Sequence, residues 1–346
     1  MRTLRDVIVT EPLRSARSPG RAAACSLIWV DVALDLVMTA VGLAVLVRAA
    51  DVFVDGAAAL STRLNVAPVL VGAVVIGMGT SVPELLISTL AALGGDSELG
   101  VGNIVGSNIA NLSLVLGVAA LLTPVAVASS TLRREAAVSL AAVAAFGIVV
   151  VIGLPFVAGV VLLVALGVLL VLAVRTRAQP SDTELAEEVE ELEERAEGVS
   201  TSRLSLRTTV GLVGTAIGAQ LVVGGATGLA AATGLASGLV GLTVVAIGTS
   251  LPELVTAVQA SRRGEDELVL GNVLGSNVFN SLLAGGTIAM IAPGPISDTA
   301  LATRGVAVMV AVAVIARVSM AGGRRIGRPA ALLLLAGYVV AVAVTA

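Results

Sequence analysis

The chain has 346 residues, 57% of them hydrophobic and 13% charged, with a mean hydropathy of +1.02, which places most of it in lipid and excludes an ordinary soluble domain. It has no histidine and a single cysteine, Cys25, so an internal disulfide, histidine-based catalysis and the commonest ligand for zinc, copper or iron are excluded. The formal net charge of −3 lies mostly in the connections between apolar segments, and nucleic-acid binding has no support.

Residues 1–28 form a tail containing Arg2, Arg5, Arg14, Arg17 and Arg21. The tail lacks the short apolar run and small-residue cleavage site of a signal peptide. An upstream start-codon choice and an extra targeting segment are both open readings of it. About ten apolar stretches of roughly twenty residues follow, each long enough to cross a hydrocarbon core as a helix. They lie near 29 to 58, 66 to 92, 99 to 122, 133 to 152, 154 to 174, 207 to 231, 237 to 260, 268 to 291, 301 to 320 and 329 to 345. One hydrophilic segment, 175–206, interrupts them with SDTELAEEVEELEERAEG, where Leu185, Val189 and Leu192 fall at helical spacing on an acidic run. It reads as a solvated connecting helix. A regulatory calcium-binding or dimerising role is the alternative, without an EF-hand pattern behind it.

Sliding the sequence along itself uncovers an ungapped repeat at an offset of about 169 residues, from Val71–Asn111 onto Val240–Asn280, in which roughly nineteen of about forty-one positions agree. GTSVPELL at 79–86 answers GTSLPELV at 248–255, and GNIVGSNIAN at 102–111 answers GNVLGSNVFN at 271–280. About five spans separate equivalent points, and an odd number makes the second copy enter the membrane in the opposite direction. The expected fold is therefore an all-α polytopic membrane protein of about ten transmembrane helices arranged as two inverted five-helix repeats, 29–174 and 207–346. All 21 basic residues are arginine, and cationic side chains accumulate on the cytoplasmic side. Arg63, Arg133, Arg134, Arg262, Arg263, Arg324, Arg325, Arg328 and the central loop fall on one face, which makes that loop cytoplasmic and both termini external. The arginines of the N-terminal tail run against this orientation.

Glu84 and Glu253 lie inside apolar segments at equivalent repeat positions, where a charge at mid-membrane costs roughly 2.5 to 3.5 kcal/mol on insertion scales. No lysine exists, and every arginine of these two segments lies at or beyond an end, so a bound cation or a proton is the natural partner of each carboxylate. Thr80 and Glu84 share a helix face, as do Thr249 and Glu253, with Ser81 and Ser250 beside them. Asn103, Ser107 and Asn111 recur at i, i+4, i+8, as do Asn272, Ser276 and Asn280, giving each following helix a polar stripe. Helix–helix adhesion is the alternative role for these stripes, with Gly102, Gly106, Gly271 and Gly275 permitting close packing. Pro83 and Pro252 remove the hydrogen bond that would reach the carbonyl of Gly79 or Gly248, and beside Gly-Thr-Ser and Glu in both repeats they suggest a broken-helix cation site. Carboxylate, hydroxyl, amide and carbonyl oxygens without sulfur or imidazole suit calcium, sodium or magnesium. Two carboxylates balance one Ca²⁺ or two Na⁺, so competing ions can share one cavity and be carried in turn.

These paired blocks, GTSVPE with GSNIAN and GTSLPE with GSNVFN, resemble the two alpha repeats of the cation/calcium exchanger superfamily over residues 35–346, with the nearest likeness to prokaryotic sodium/calcium exchangers. The resemblance implies ten transmembrane helices, the first and sixth sliding against a core bundle, and electrogenic calcium movement driven by sodium. It implies cation coordination by Thr80, Ser81, Glu84, Ser107 and Asn111 with Thr249, Ser250, Glu253, Ser276 and Asn280. Some relatives carry Asp where this chain has Asn280, an acid associated with potassium co-transport or protonation, so the amide argues for potassium independence. The proton/calcium branch has a different acidic motif that this chain lacks. A multi-pass protein of the plasma membrane is expected, in which Na⁺ and Ca²⁺ bind as cargo, no cofactor is needed and a monomer suffices for transport. Proton-coupled exchange is the alternative within the class and a passive cation channel the alternative outside it. An intramembrane hydrolase fails because neither His nor Lys exists to activate Ser81 or Ser250.

Asp51 and Gln220 occupy equivalent positions on the first and sixth segments, as candidate pathway groups or simple polar helix positions. The acidic connections GGDSELG at 94–100 and GEDELVLG at 264–271 are candidate cation attractors, with helix capping by Asp96, Ser97 or Asp266 as the plainer alternative.

Overall fold

The computed structural model describes residues 19–63, 81–127, 130–176, 199–263, 266–322 and 325–345. These are helical apart from a short two-stranded ladder and connecting turns, as lipid demands of a chain that must satisfy its own backbone polar groups. The far N-terminal tail, most of the acidic linker and the first half of the second expected span fall outside the described residues.

α1 spans Pro19–Arg63, begins upstream of the expected segment and has proline in its first turn, where the missing N–H is harmless. α2, Val82–Leu93, starts with Pro83 in its first turn and stops at Gly94, and Gly95 follows at φ 86°, in the left-handed region glycine favours. α3, Ser97–Leu122, is capped by Asp96, whose carboxylate accepts the Leu99 N–H at 3.0 Å, so capping is the role found for that acid. Within α3, Asn111–Val115 form a π turn. β1, Val125–Ala126, leads to α4, Ser130–Val151, and α5, Phe156–Thr176.

In the second half, α6 covers Thr201–Thr233, with the Ser200 side chain accepting from the Arg203 N–H. α7, Ser237–Thr249, contains the π turn Gly241–Val245 and is separated at Ser250 from α8, Leu251–Arg263, by a 41° bend. The bend falls where Pro252 has no N–H to give to the Gly248 carbonyl. α9 comprises Asp266–Phe279, the π turn Asn280–Ala284 and Gly285–Ile291. α10, Ala300–Ala321, opens on the π turn Ala300–Gly305. β2, Arg325–Ile326, pairs antiparallel with β1 and precedes α11, Arg328–Thr345.

Among the described residues seven helices are long and apolar enough to cross a membrane, or eight if α7 and α8 form one bent span. Their burial sorts them: 83% of the α3 window is buried against 17% for α1 and 28% for α11, so α3 is central and α1 and α11 are peripheral. The exposed apolar side chains Val30, Leu34, Val37 and Val41 on α1, with Val157, Val161, Val164 and Val168 on α5, suit a lipid boundary. α1 and α6 lie along each other through small residues: a Cβ added at Gly218 would sit 2.5 Å from the Leu46 nitrogen. In lipid, where apolar burial no longer drives association, such close backbone approach supplies the contact energy.

The connections gather in two clusters. In one, the Ser237 hydroxyl donates to the Asp96 carboxylate at 2.9 Å and Glu98 accepts the Ser297 and Asp298 N–H groups at 2.8 and 3.0 Å. In the other, β1 meets β2 and the Ala126 N–H donates to the Asp266 carboxylate at 2.9 Å. Asp266 thus fastens a neighbouring loop.

Candidate cation site

The site forms where α2, α7 and α8 meet α3 and α9. Ser81, before α2, has φ −89° and ψ 1°, and Ser250, between α7 and α8, has φ −83° and ψ 6°. Both sit in the sparsely allowed bridge region, so α2 and α8 are each preceded by a serine of the same backbone conformation. Three residues on, Glu84 and Glu253 occupy the first turn of their half-helices, where unpaired N–H groups and the helix dipole favour a negative group.

Both carboxylate residues are completely buried and lie close enough for their charges to act on one another. Neither Glu84 oxygen meets a hydrogen-bond donor in good geometry among the described residues, although the Thr249 hydroxyl lies beside the group. The described ion pair, Arg207 with Asp55 at 3.0 Å, is on the exposed surface of α6 and α1. A buried carboxylate without a cationic partner is costly to keep ionised, and a bound cation removes that cost.

Oxygen-bearing side chains surround the pair. The Asn103 amide donates to Ser88 Oγ at 3.0 Å and to the Glu84 carbonyl at 3.3 Å, while its Oδ1 accepts from Thr249 Oγ1 at 3.3 Å. Thr249 Oγ1 also lies 3.2 Å from the Ala246 carbonyl and 3.4 Å from Ser107 Oγ. With two pure acceptors competing for the single Thr249 proton, Ser107 is the donor in its contact with Thr249. This network ties α2, α3 and α7 together across the two repeats. α3 and α7 come into close contact here: a Cβ at Gly102 would collide with the Gly238 carbonyl, so Gly102 has the packing role its position suggested.

Of the residues marked from sequence, Ser81, Glu84, Ser107, Asn111, Thr249, Ser250, Glu253, Ser276 and Asn280 are all buried, none more than 4% exposed. Thr80 lies outside the described residues, as does Gly79. The Thr249 hydroxyl lies beside Glu84 and 3.4 Å from Ser107 Oγ, and Glu84 and Glu253 lie near one another. Ser81 and Asn280 line a cavity of about 10 Å³ with Val82, Leu85, Phe279, Leu283 and Ala284, about the room of one water molecule. Neither the Ser81 hydroxyl nor either end of the Asn280 amide has a partner among the described residues. Asp51 and Gln220 are exposed and do not join the site.

Sequence reasoning missed Asn108 and Asn277. The Asn277 amide donates to the Asn108 main-chain carbonyl at 3.1 Å, and its Oδ1 accepts from Asn111 Nδ2 at 3.0 Å. The Asn108 amide donates to Ser281 Oγ at 3.0 Å and reaches Met309 Sδ at 3.6 Å. The signal was available: both are the Asn of a Gly-Ser-Asn triplet, separated by 169 residues.

These features form two related halves around two buried acids, and comparison with known proteins gives the same division. The model of a family described as sodium/calcium exchanger protein matches residues 34–175 and again residues 205–346. The chain belongs to the sodium/calcium exchanger family. This member is 35% identical over 306 residues to the inner membrane protein YrbG of Escherichia coli (strain K12), covering 87% of this chain and 93% of that one. It is 29% identical over 342 residues to the sodium/calcium exchanger MaX1 of Methanosarcina acetivorans, covering 89% and 97%. Among solved structures, the sodium-calcium exchanger NCX_Mj, soaked with Na⁺ and Sr²⁺, superposes with a TM-score of 0.61 at 30% identity over 90% of this chain and 98% of that chain. The family resemblance carried by the GTSVPE and GTSLPE blocks therefore holds for the whole exchanger region.

Proposed function

We propose that this chain is a secondary antiporter that exchanges Na⁺ for Ca²⁺ by alternating access, with both ions bound in turn at Glu84 and Glu253. One observation carries the reading: two equivalent, completely buried carboxylates act on each other inside a shell of hydroxyl and amide oxygens. Family membership and the likeness to NCX_Mj make the chain a cation/calcium antiporter. Sodium as the driving ion is the further step, supported by the sodium/calcium exchanger names of the family and of the MaX1 relative.

The ligand set is Glu84 and Glu253 with Thr80, Ser81, Ser107 and Asn111, and Thr249, Ser250, Ser276 and Asn280. All are hard oxygen donors, and calcium accepts six to eight of them at about 2.3 to 2.6 Å. One Ca²⁺ or two Na⁺ neutralise the two carboxylates, so each cargo excludes the other. Two inverted five-helix repeats make up the fold, 29–174 and 207–346, joined by the linker 175–206. In support, Asp96 and Asp266, at corresponding connections of the two repeats, fall in different loop clusters. A monomer suffices for transport in the plasma membrane, with the arginine-rich face and central loop cytoplasmic.

The test is calcium uptake by purified protein in sodium-loaded liposomes on dilution into sodium-free medium, beside a Glu84→Gln control. Uptake abolished by external sodium and by the substitution is the expected result. Uptake that follows an imposed pH gradient and ignores sodium replaces sodium with protons as the coupling ion. Single-channel currents would place the protein among passive pores.

A further inference from the structure

An amide side chain can serve a cation only through its oxygen, because the NH₂ end is a donor without a lone pair to offer. Asn111 is completely buried on α3, at the first residue of the π turn. Which end of its amide is left free of protein partners therefore decides whether it can serve a cation. The two ends differ by a single torsion, so something has to fix them.

The fixing chain is on the far side of the molecule's internal repeat. Asn277, on α9, lies against the main-chain carbonyl of Asn108 at 3.1 Å. A carbonyl only accepts, so the NH₂ end of Asn277 must point there, and its Oδ1 must point the other way. That oxygen meets the Asn111 side chain at 3.0 Å. An oxygen facing an amide accepts only from its NH₂ end, so Asn111 is obliged to spend Nδ2 on Asn277. Its own Oδ1 is left buried with no partner among the described residues. The orientation thus passes from a main-chain group that cannot flip, through Asn277, to Asn111.

The counterpart in the second repeat lacks this arrangement. Asn108 corresponds to Asn277, but its amide donates to Ser281 and Met309, and neither end of Asn280 has a partner among the described residues.

We infer that Asn277 is a positioning residue that holds the Asn111 amide oxygen toward the ion, making Asn111 an obligatory oxygen ligand while Asn280 is left unset. The inference rests on the functional reading above. Asn277 itself does not touch the cargo; its two polar ends are both taken by other groups.

The test is a double-mutant cycle read as the half-saturating calcium concentration of sodium-driven uptake into liposomes, with the full chain throughout. Asn277→Ala removes the acceptor that orients Asn111, and the loss of such a supporting partner raises the half-saturating concentration by about 10- to 100-fold. In an Asn111→Asp background both terminal atoms of residue 111 are oxygens, so orientation no longer matters. There the same Asn277→Ala change is expected to shift the value by less than about threefold. A merely structural role for Asn277 would cost the same in both backgrounds, and equal shifts overturn the inference while leaving the exchange reading intact. Wild-type protein that takes up no calcium on a sodium gradient overturns the exchange reading, and this inference with it. Should the alanine variant not yield folded protein, Asn277→Ser, whose hydroxyl is too short to span both partners, enters the same cycle with the same expected pattern.

Discussion

Asn111 on α3 and Asn280 on α9 end the same sequence block in the two repeats, and each is buried and opens a π turn. Their surroundings differ. Asn111 is tethered through its NH₂ end to Asn277, whereas Asn280 borders a small cavity with both ends unpartnered among the described residues. A buried polar group without a hydrogen bond costs about 1 to 3 kcal/mol, so Asn280, with both ends unpartnered among the described residues, holds a larger polar deficit than Asn111, with one, and an arriving ion can relieve it. Equivalent residues in related halves thus share chemistry without sharing energetics. The first repeat presents a set amide, and the second an unset one.

The sharpest way to break this comparison starts with the residues in which the halves should be equal. Glu84→Gln and Glu253→Gln are each expected to lower sodium-driven calcium uptake by about two orders of magnitude or more, roughly 2.8 kcal/mol of lost stabilisation. Full activity in either variant would show that only one carboxylate belongs to the site. Next in size is Asn280→Asp, which supplies a charged ligand where an unset amide stood. The half-saturating calcium concentration should fall about tenfold at alkaline pH. That gain depends on the ionised form, so it should fade as the pH is lowered and protons occupy the new carboxylate. A pH-independent gain would argue against a carboxylate at the ion.

Smaller effects separate the two asparagines directly. Asn111→Ala should raise the half-saturating calcium concentration about tenfold, the loss of one held ligand, or about 1.4 kcal/mol. Asn280→Ala should raise it by about threefold or less, because part of its interaction is spent on ordering the side chain when the ion binds. Equal losses in calcium titrations of the two variants would remove the distinction. As a baseline, Arg207→Ala breaks an ion pair with Asp55 whose side chains are 51% and 47% exposed. Such a pair is worth about 0 to 1 kcal/mol, so the thermal unfolding midpoint should move by only a few degrees and calcium affinity not at all.

The paired carboxylates were legible in the sequence because the chain states them twice. Glu84 and Glu253 sit in matching GTS-P-E blocks in apolar surroundings, and burial of acids in lipid has few explanations. The helix break at Ser250 was also foreshadowed, since Pro252 cannot supply the bond that would continue the helix. Asn108 and Asn277 were not recognised although both blocks contain them. Spacing by i and i+4 picked out Asn103, Ser107 and Asn111, but a regular helix carries no sign of a π turn, and such turns shift the side chains that follow. The cross-repeat contact of Asn111 with Asn277 depends on how α3 and α9 cross, which no local pattern encodes. The ladder of β1 and β2 was hidden for a similar reason: two-residue strands leave no alternation to detect.

That ladder makes one amide a reporter. The Ala126 N–H donates to the Asp266 carboxylate while its strand is paired with Arg325–Ile326, so deuterium can replace that proton only after the contact between β1 and the start of α9 opens. The rate at which it does so is a clock for the opening of that face, readable by mass spectrometry without a label or a substitution, and comparing the clock in sodium with the clock in calcium would time how far each cargo is felt from the buried carboxylates.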